Sequence, residues 1–121
     1  MSGNLRVTVV EARGLANRDG LFGKNDAYTI IKVGGKKERT KTIANAGKNA
    51  RWNETFNFQF SQNDEIHVDV WDYDRIKDDL IGSIKIPALG VMNLGYVENW
   101  YPISMGAKNS GEILLQLQFS R

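Results

Sequence analysis

Apolar and polar positions alternate in short runs along this chain. In Leu5-Arg6-Val7-Thr8-Val9 the apolar side chains take one parity and the polar ones the other, the period of a strand with one buried face. Similar runs, rich in β-branched and aromatic residues, occupy 27–33, 38–43, 52–60, 65–71, 80–86, 97–103 and 112–119. Turn formers separate them, among them Gly34-Gly35, Gln62-Asn63-Asp64 and Asn109-Ser110-Gly111, and only residues 87–95 offer a helical turn. The pattern predicts an all-β fold, an eight-stranded antiparallel β-sandwich, with a barrel as the lesser option. At 121 residues the chain accommodates one such domain.

If successive strands alternate in direction, the connections after strands one, three and five emerge at one pole. Those connections, residues 11–26, 44–51 and 72–79, carry Asp19, Asp26, Asp72, Asp74, Asp78 and Asp79. Two carboxylates about 5 Å apart repel by roughly 3 kcal/mol at an effective dielectric near 20, so such crowding calls for a cation or for dispersal into solvent. Asp72 and Asp74, two residues apart at a strand end, are expected on one side, with Asp79 returning toward them. Oxygen donors on adaptable loops suit Ca²⁺; one histidine and no cysteine leave little for zinc or copper. The competing reading is a solvated acidic loop.

Charge distribution adds a second feature to a chain whose net charge is only +2. Lys32, Lys36, Lys37, Arg39, Lys41, Lys48 and Arg51 face a single acid, Glu38, across residues 32–51, so the remainder is net acidic. On two adjacent strands the outward members would form a cationic face; an ordinary solvated face is the alternative. The absence of cysteine excludes a disulfide scaffold and is compatible with a reducing compartment. No apolar run approaches membrane-spanning length and the start resembles no signal peptide, so membrane contact is expected to be peripheral. His67 falls on the polar side of its strand, no Ser-His-Asp arrangement is evident, and catalysis by paired carboxylates would need an aromatic-lined cleft; no enzyme is expected. Without an aromatic platform or recognition helix, nucleic acid is not an expected partner.

Three ordered motifs carry a resemblance. "LRVTVVEARGLANRDGLFGKNDAYTII", "NARWNETFNFQF" and "VWDYDRIKDDLIGS" are similar to the opening, central and third-loop motifs of C2 domains, and the resemblance covers essentially the whole chain. The resemblance implies a single C2 domain over residues 1–121. It also implies the type II, phospholipase-C-like permutation, because "SGEILLQLQF", first in the other permutation, is last here, and both termini away from the acidic loops.

It further implies calcium ligands Asp26, Asp72, Asp74 and Asp79. The usual remaining aspartate position holds Gly20, with Asp19 one residue earlier as its substitute; Asp78 is expected to point away as a peripheral or second-ion ligand. The backbone carbonyls of Tyr73 and Arg18 complete the implied set. Beside these acids stand Leu21, Phe22 and Ile76, the last flanked by Arg75 and Lys77, apolar tips suited to lipid insertion. Lys32, Lys36, Lys37, Arg39 and Lys41 resemble the family's polybasic strands. The expected function is Ca²⁺-dependent binding of a monomeric cytoplasmic module to anionic membranes bearing phosphatidylserine or phosphoinositides. The alternative is calcium-independent protein interaction or constitutive phosphoinositide binding through the basic face.

Overall fold

Strict alternation on the strand from Glu65 to Asp72 shows how the core is laid down. Ile66, Val68 and Val70 are fully buried while Glu65, His67 and Asp69 turn outward, as a period of two demands. The computed structural model describes residues 2–17 and 24–121. Among them lie strands β1 (Ser2–Arg13), β2 (Ala27–Val33), β3 (Lys36–Arg39), β4 (Ala50–Ser61), β5 (Glu65–Asp72), β6 (Asp79–Pro87), β7 (Tyr96–Met105) and β8 (Lys108–Ser120), with one helix, α1 (Ala88–Leu94). The strands pair in the order β3-β2-β5-β6-β7-β8-β1-β4, every pairing antiparallel.

The sheet folds over on itself at β6 and β7, whose ladder consists of the single pair Ser83 and Ser104. Two four-stranded layers result, β3-β2-β5-β6 and β7-β8-β1-β4, and their inner faces bring Ile66, Val68 and Val70 into one core with Leu5, Val7, Phe58, Phe60, Leu115 and Leu117. Each such large side chain contributes roughly 1.5–3 kcal/mol on full burial. Gly82 sits at the fold-over because a Cβ there would stand 2.2 Å from Ser110 Oγ and 3.1 Å from Ile103 Cγ1.

Two irregularities matter for the loops. A register shift between Val9 and Glu11 changes the parity of β1, so Ala12 is buried and Leu15 beyond the strand still reaches the core. The third strand, expected over 38–43, instead spans Lys36–Arg39. Gly34, at φ 60, closes a two-residue turn, so pairing begins at once with Val33 opposite Lys36. The ladder is interrupted where Thr40 Oγ1 accepts the Thr29 amide at 2.8 Å, and it resumes only as an isolated bridge between Ala27 and Ile43. At the opposite end α1 covers the core with Ala88, Val91 and Met92, near the paired Asn4 and Ser120.

Candidate functional site

The three connections expected to share a pole are tied together there. Leu15 N donates to Lys48 O at 3.0 Å, Ala46 N to Asn25 O at 2.8 Å and Tyr73 N to Asp26 O at 2.8 Å. Asn25, fully buried, clamps two loops at once by donating Nδ2 to Ala16 O and Gly47 O at 3.0 and 2.8 Å. Sequence reading misses this residue; its one signal is a turn former between the basic Lys24 and the acidic Asp26.

Asp72 continues the inward line of Ile66, Val68 and Val70 and is 1% exposed. A carboxylate so placed needs polar partners, and its Oδ1 accepts the Asp26 amide at 2.8 Å, joining loop one to loop three. Asp26 Oδ1 accepts the Asn45 amide at 2.8 Å, which adds loop two. Asp74 lies beyond the end of β5 at Asp72 and is exposed, with Oδ1 accepting the Ile76 amide at 3.0 Å. Asp79 is exposed at the start of β6, paired with Asp72 in the ladder.

Asp78 Oδ1 accepts the Asp74 amide at 2.8 Å and its Oδ2 accepts the Tyr28 hydroxyl. The Asp74 amide, then the Tyr28 hydroxyl, hold its carboxyl below the usual range, while burial and then that same bond push the Tyr28 phenol up to about 12. Among the described residues, no three Asp, Glu or His side chains converge as a metal-holding group. The donor set is nonetheless all oxygen, which fits a hard cation in its chemistry. Asp19, Arg18, Leu21 and Phe22 lie outside the described residues.

Apolar and cationic tips accompany the acids. Ile76 is 95% exposed between exposed Arg75 and Lys77, and the Tyr73 side chain helps wall a recess of about 390 Å³ with Asp26, Thr42 and Ala44. On the outer surface of the β3-β2-β5-β6 layer, Lys32 stands opposite Lys37, and Arg39 opposite Ile30. The Arg39 guanidinium lies 3.6 Å over the Tyr28 ring. Lys41 is exposed beyond the end of β3, with its amide donating to Glu54.

Lys36 leaves this face, contrary to expectation. Being opposite Val33 it has inward parity, and it reaches across the open edge to donate to Asn57 O at 2.8 Å near the Phe58 ring. Sequence reading also misses Lys85, whose place becomes visible only through the pairing of His67 with both Lys32 and Lys85. Among the described residues, no helix is long and apolar enough to cross a membrane.

An eight-stranded antiparallel sandwich with three clamped loops at one pole, acidic at its base and cationic along one flank, defines the class. The family model for the C2 domain matches residues 3–103, and the chain belongs to that family. It is 33% identical over 124 residues to Extended synaptotagmin-1 of Rattus norvegicus, covering 97% of this chain and 11% of that protein. To a C2 and GRAM domain-containing protein of Arabidopsis thaliana it is 38% identical over 128 residues, covering 97% of this chain and 12% of that protein. The chain thus spans about a ninth of the length of the curated relatives it matches. Among solved structures, the calcium-bound pair of C2 domains from Extended-Synaptotagmin 2 superposes with a TM-score of 0.87 at 27% identity, covering 97% of this chain and 45% of that one.

Proposed function

We propose that this chain is a non-enzymatic, monomeric C2 module that binds anionic phospholipid membranes in response to Ca²⁺. The observation that carries the reading is the junction of loops one and three, where buried Asp72 accepts the Asp26 amide and sets two carboxylates of the family pattern at one pole. Asp26, Asp72, Asp74 and Asp79, with Asp19 and the carbonyls of Tyr73 and Arg18, would hold the ion, and Asp78 would stand at its periphery. Bound calcium supplies positive charge that offsets these carboxylates and open positions for lipid phosphate oxygens.

The chain's own residues do the rest. Exposed Ile76, with Leu21 and Phe22, enters the interfacial layer while Arg75 and Lys77 meet phosphates. Lys32, Lys37, Arg39 and Lys41 add attraction of about 1 kcal/mol each near an anionic surface. The calcium-bound state of a relative at 27% identity supports this reading, as does the all-oxygen donor set. The domain is proposed to span residues 1–121 and to work in the cytoplasm as a peripheral membrane element without nucleic acid.

A second reading, constitutive lipid or protein binding through the cationic face, is favoured by the exposed cross-strand pair of Lys32 and Lys37. Sedimentation with phosphatidylserine vesicles separates the two. The leading reading expects far more bound protein with Ca²⁺ than with chelator, and equal sedimentation would refute it. Asp72→Asn with Asp74→Asn is expected to abolish calcium binding in a calorimetric titration while leaving the β-type circular dichroism intact.

A further inference from the structure

Cross-strand register aligns four basic side chains into one straight row. Lys37 on β3 pairs with Lys32 on β2, Lys32 with His67 on β5, and His67 with Lys85 on β6. Residues directly opposite in an antiparallel ladder share a face, so all four project outward from the same layer. Lys32, Lys37 and Lys85 are exposed and the His67 side chain is 39% exposed. At about 4.8 Å per strand, the row crosses the layer over roughly 14 Å.

His67 is its interruption. While the imidazole is neutral, Lys32 and Lys85 are separated by a gap of about two strand spacings, roughly 10 Å. Other charges face that gap. On β5 itself, Glu65 Oε1 lies 3.6 Å from His67 Nε2, and Asp69, two residues further, accepts the Ser83 hydroxyl at 2.6 Å. Asp64 accepts the Ser61 amide and helps wall a cavity of about 300 Å³ beside Lys32 and His67. A proton on His67 places a cation in the middle of the row and offsets Glu65, turning two separate basic patches into one continuous strip.

Taking the cationic face as a membrane surface, we propose that Lys85 extends it across four strands and that His67 makes its grip on an anionic lipid bilayer depend on pH, tightening as the solution is acidified. The partner follows from charge complementarity: a flat row of cations spread over roughly 14 Å matches many lipid phosphates in a plane better than one compact anion. The inference rests on the reading of the basic face as a membrane surface, but it needs no calcium.

The test is vesicle sedimentation in EDTA, using three parts phosphatidylcholine to one part phosphatidylglycerol, whose phosphodiester keeps its charge throughout the titration. One added cation near an anionic surface should tighten binding about fivefold between about pH 7.5 and about pH 5.5. His67→Gln is expected to bind as the parent does at the higher pH and to lose the gain on acidification. Lys85→Gln is expected to weaken binding about fivefold at both values.

A His67→Gln protein that keeps the pH gain overturns the proposal, as does a parent protein that ignores these vesicles at both pH values. So does stronger binding to soluble inositol hexakisphosphate than to the vesicles. Because no calcium is present, these failures are distinct from failure of the calcium-gated pole, which is read with Ca²⁺ and phosphatidylserine.

Discussion

The two outer faces of the sandwich obey the same binary pattern and carry different chemistry. On the β3-β2-β5-β6 layer the outward row reads Lys37, Lys32, His67, Lys85. On the β4-β1-β8-β7 layer the corresponding rows read Thr55, Thr8, Gln116, Glu98 and Asn57, Arg6, Gln118, Tyr96. The second face satisfies its groups internally: the Thr8 and Thr55 hydroxyls are hydrogen-bonded at 2.9 Å, and Gln116 Nε2 donates to Glu98 at 3.1 Å. Folding needs only that both faces be polar. The choice of lysine on one and amide or hydroxyl on the other is left to function, and the lysine-bearing face is the one proposed to meet an anionic partner.

The contrast can be broken by neutralising the basic face. Lys32→Gln with Lys37→Gln removes two outward cations, and at about 1 kcal/mol each the affinity for phosphoinositide vesicles should fall roughly thirtyfold. Urea unfolding midpoints should barely move, since both side chains are exposed.

A smaller effect sharpens the comparison through Tyr28, which is 4% exposed beneath Arg39 and bonds Asp78. Its phenol is held at about 12, above the ordinary 10.0, so the folded state binds this proton more tightly than the unfolded chain does. The stabilisation is complete below the ordinary value and disappears as pH rises from 10.0 toward about 12. For Asp78 the sign reverses: its lowered value gives stability present above the ordinary carboxylate range and lost as pH falls through the folded value. Tyr28→Phe should therefore lose less stability than the parent across the alkaline window, measured by urea midpoints at successive pH values. The smallest change is expected on the amide face. Arg6→Gln should alter vesicle affinity by less than about twofold, because its neighbours offer no continuous charge.

Strand existence was legible because alternation is a local property: residues 65–71 alone specify which way Ile66, Val68 and Val70 turn. The shared pole was legible too, since it follows from strand count and direction. Less accessible were facts that depend on a partner strand. Lys36 and Lys37 are adjacent cations in the sequence, yet pairing with β2 sends one to the inner edge and the other to the outer face. Lys85 belongs with Lys32 only through two successive registers. The partner that holds Asp78 was not legible either, because Tyr28 lies fifty residues away in the chain.

β1 occupies an interior position in the folded ribbon, between β4 and β8, with Asn4 paired to both Gln59 and Ser120. β1 must therefore wait for β8, the strand of this sandwich farthest from it in the chain, before both of its edges are closed. Such distant pairings place the loop-closure entropy ahead of its reward and slow folding toward milliseconds or seconds. During translation the open edge of β1 would be exposed until β8 leaves the ribosome, a window in which a stray strand could pair with it.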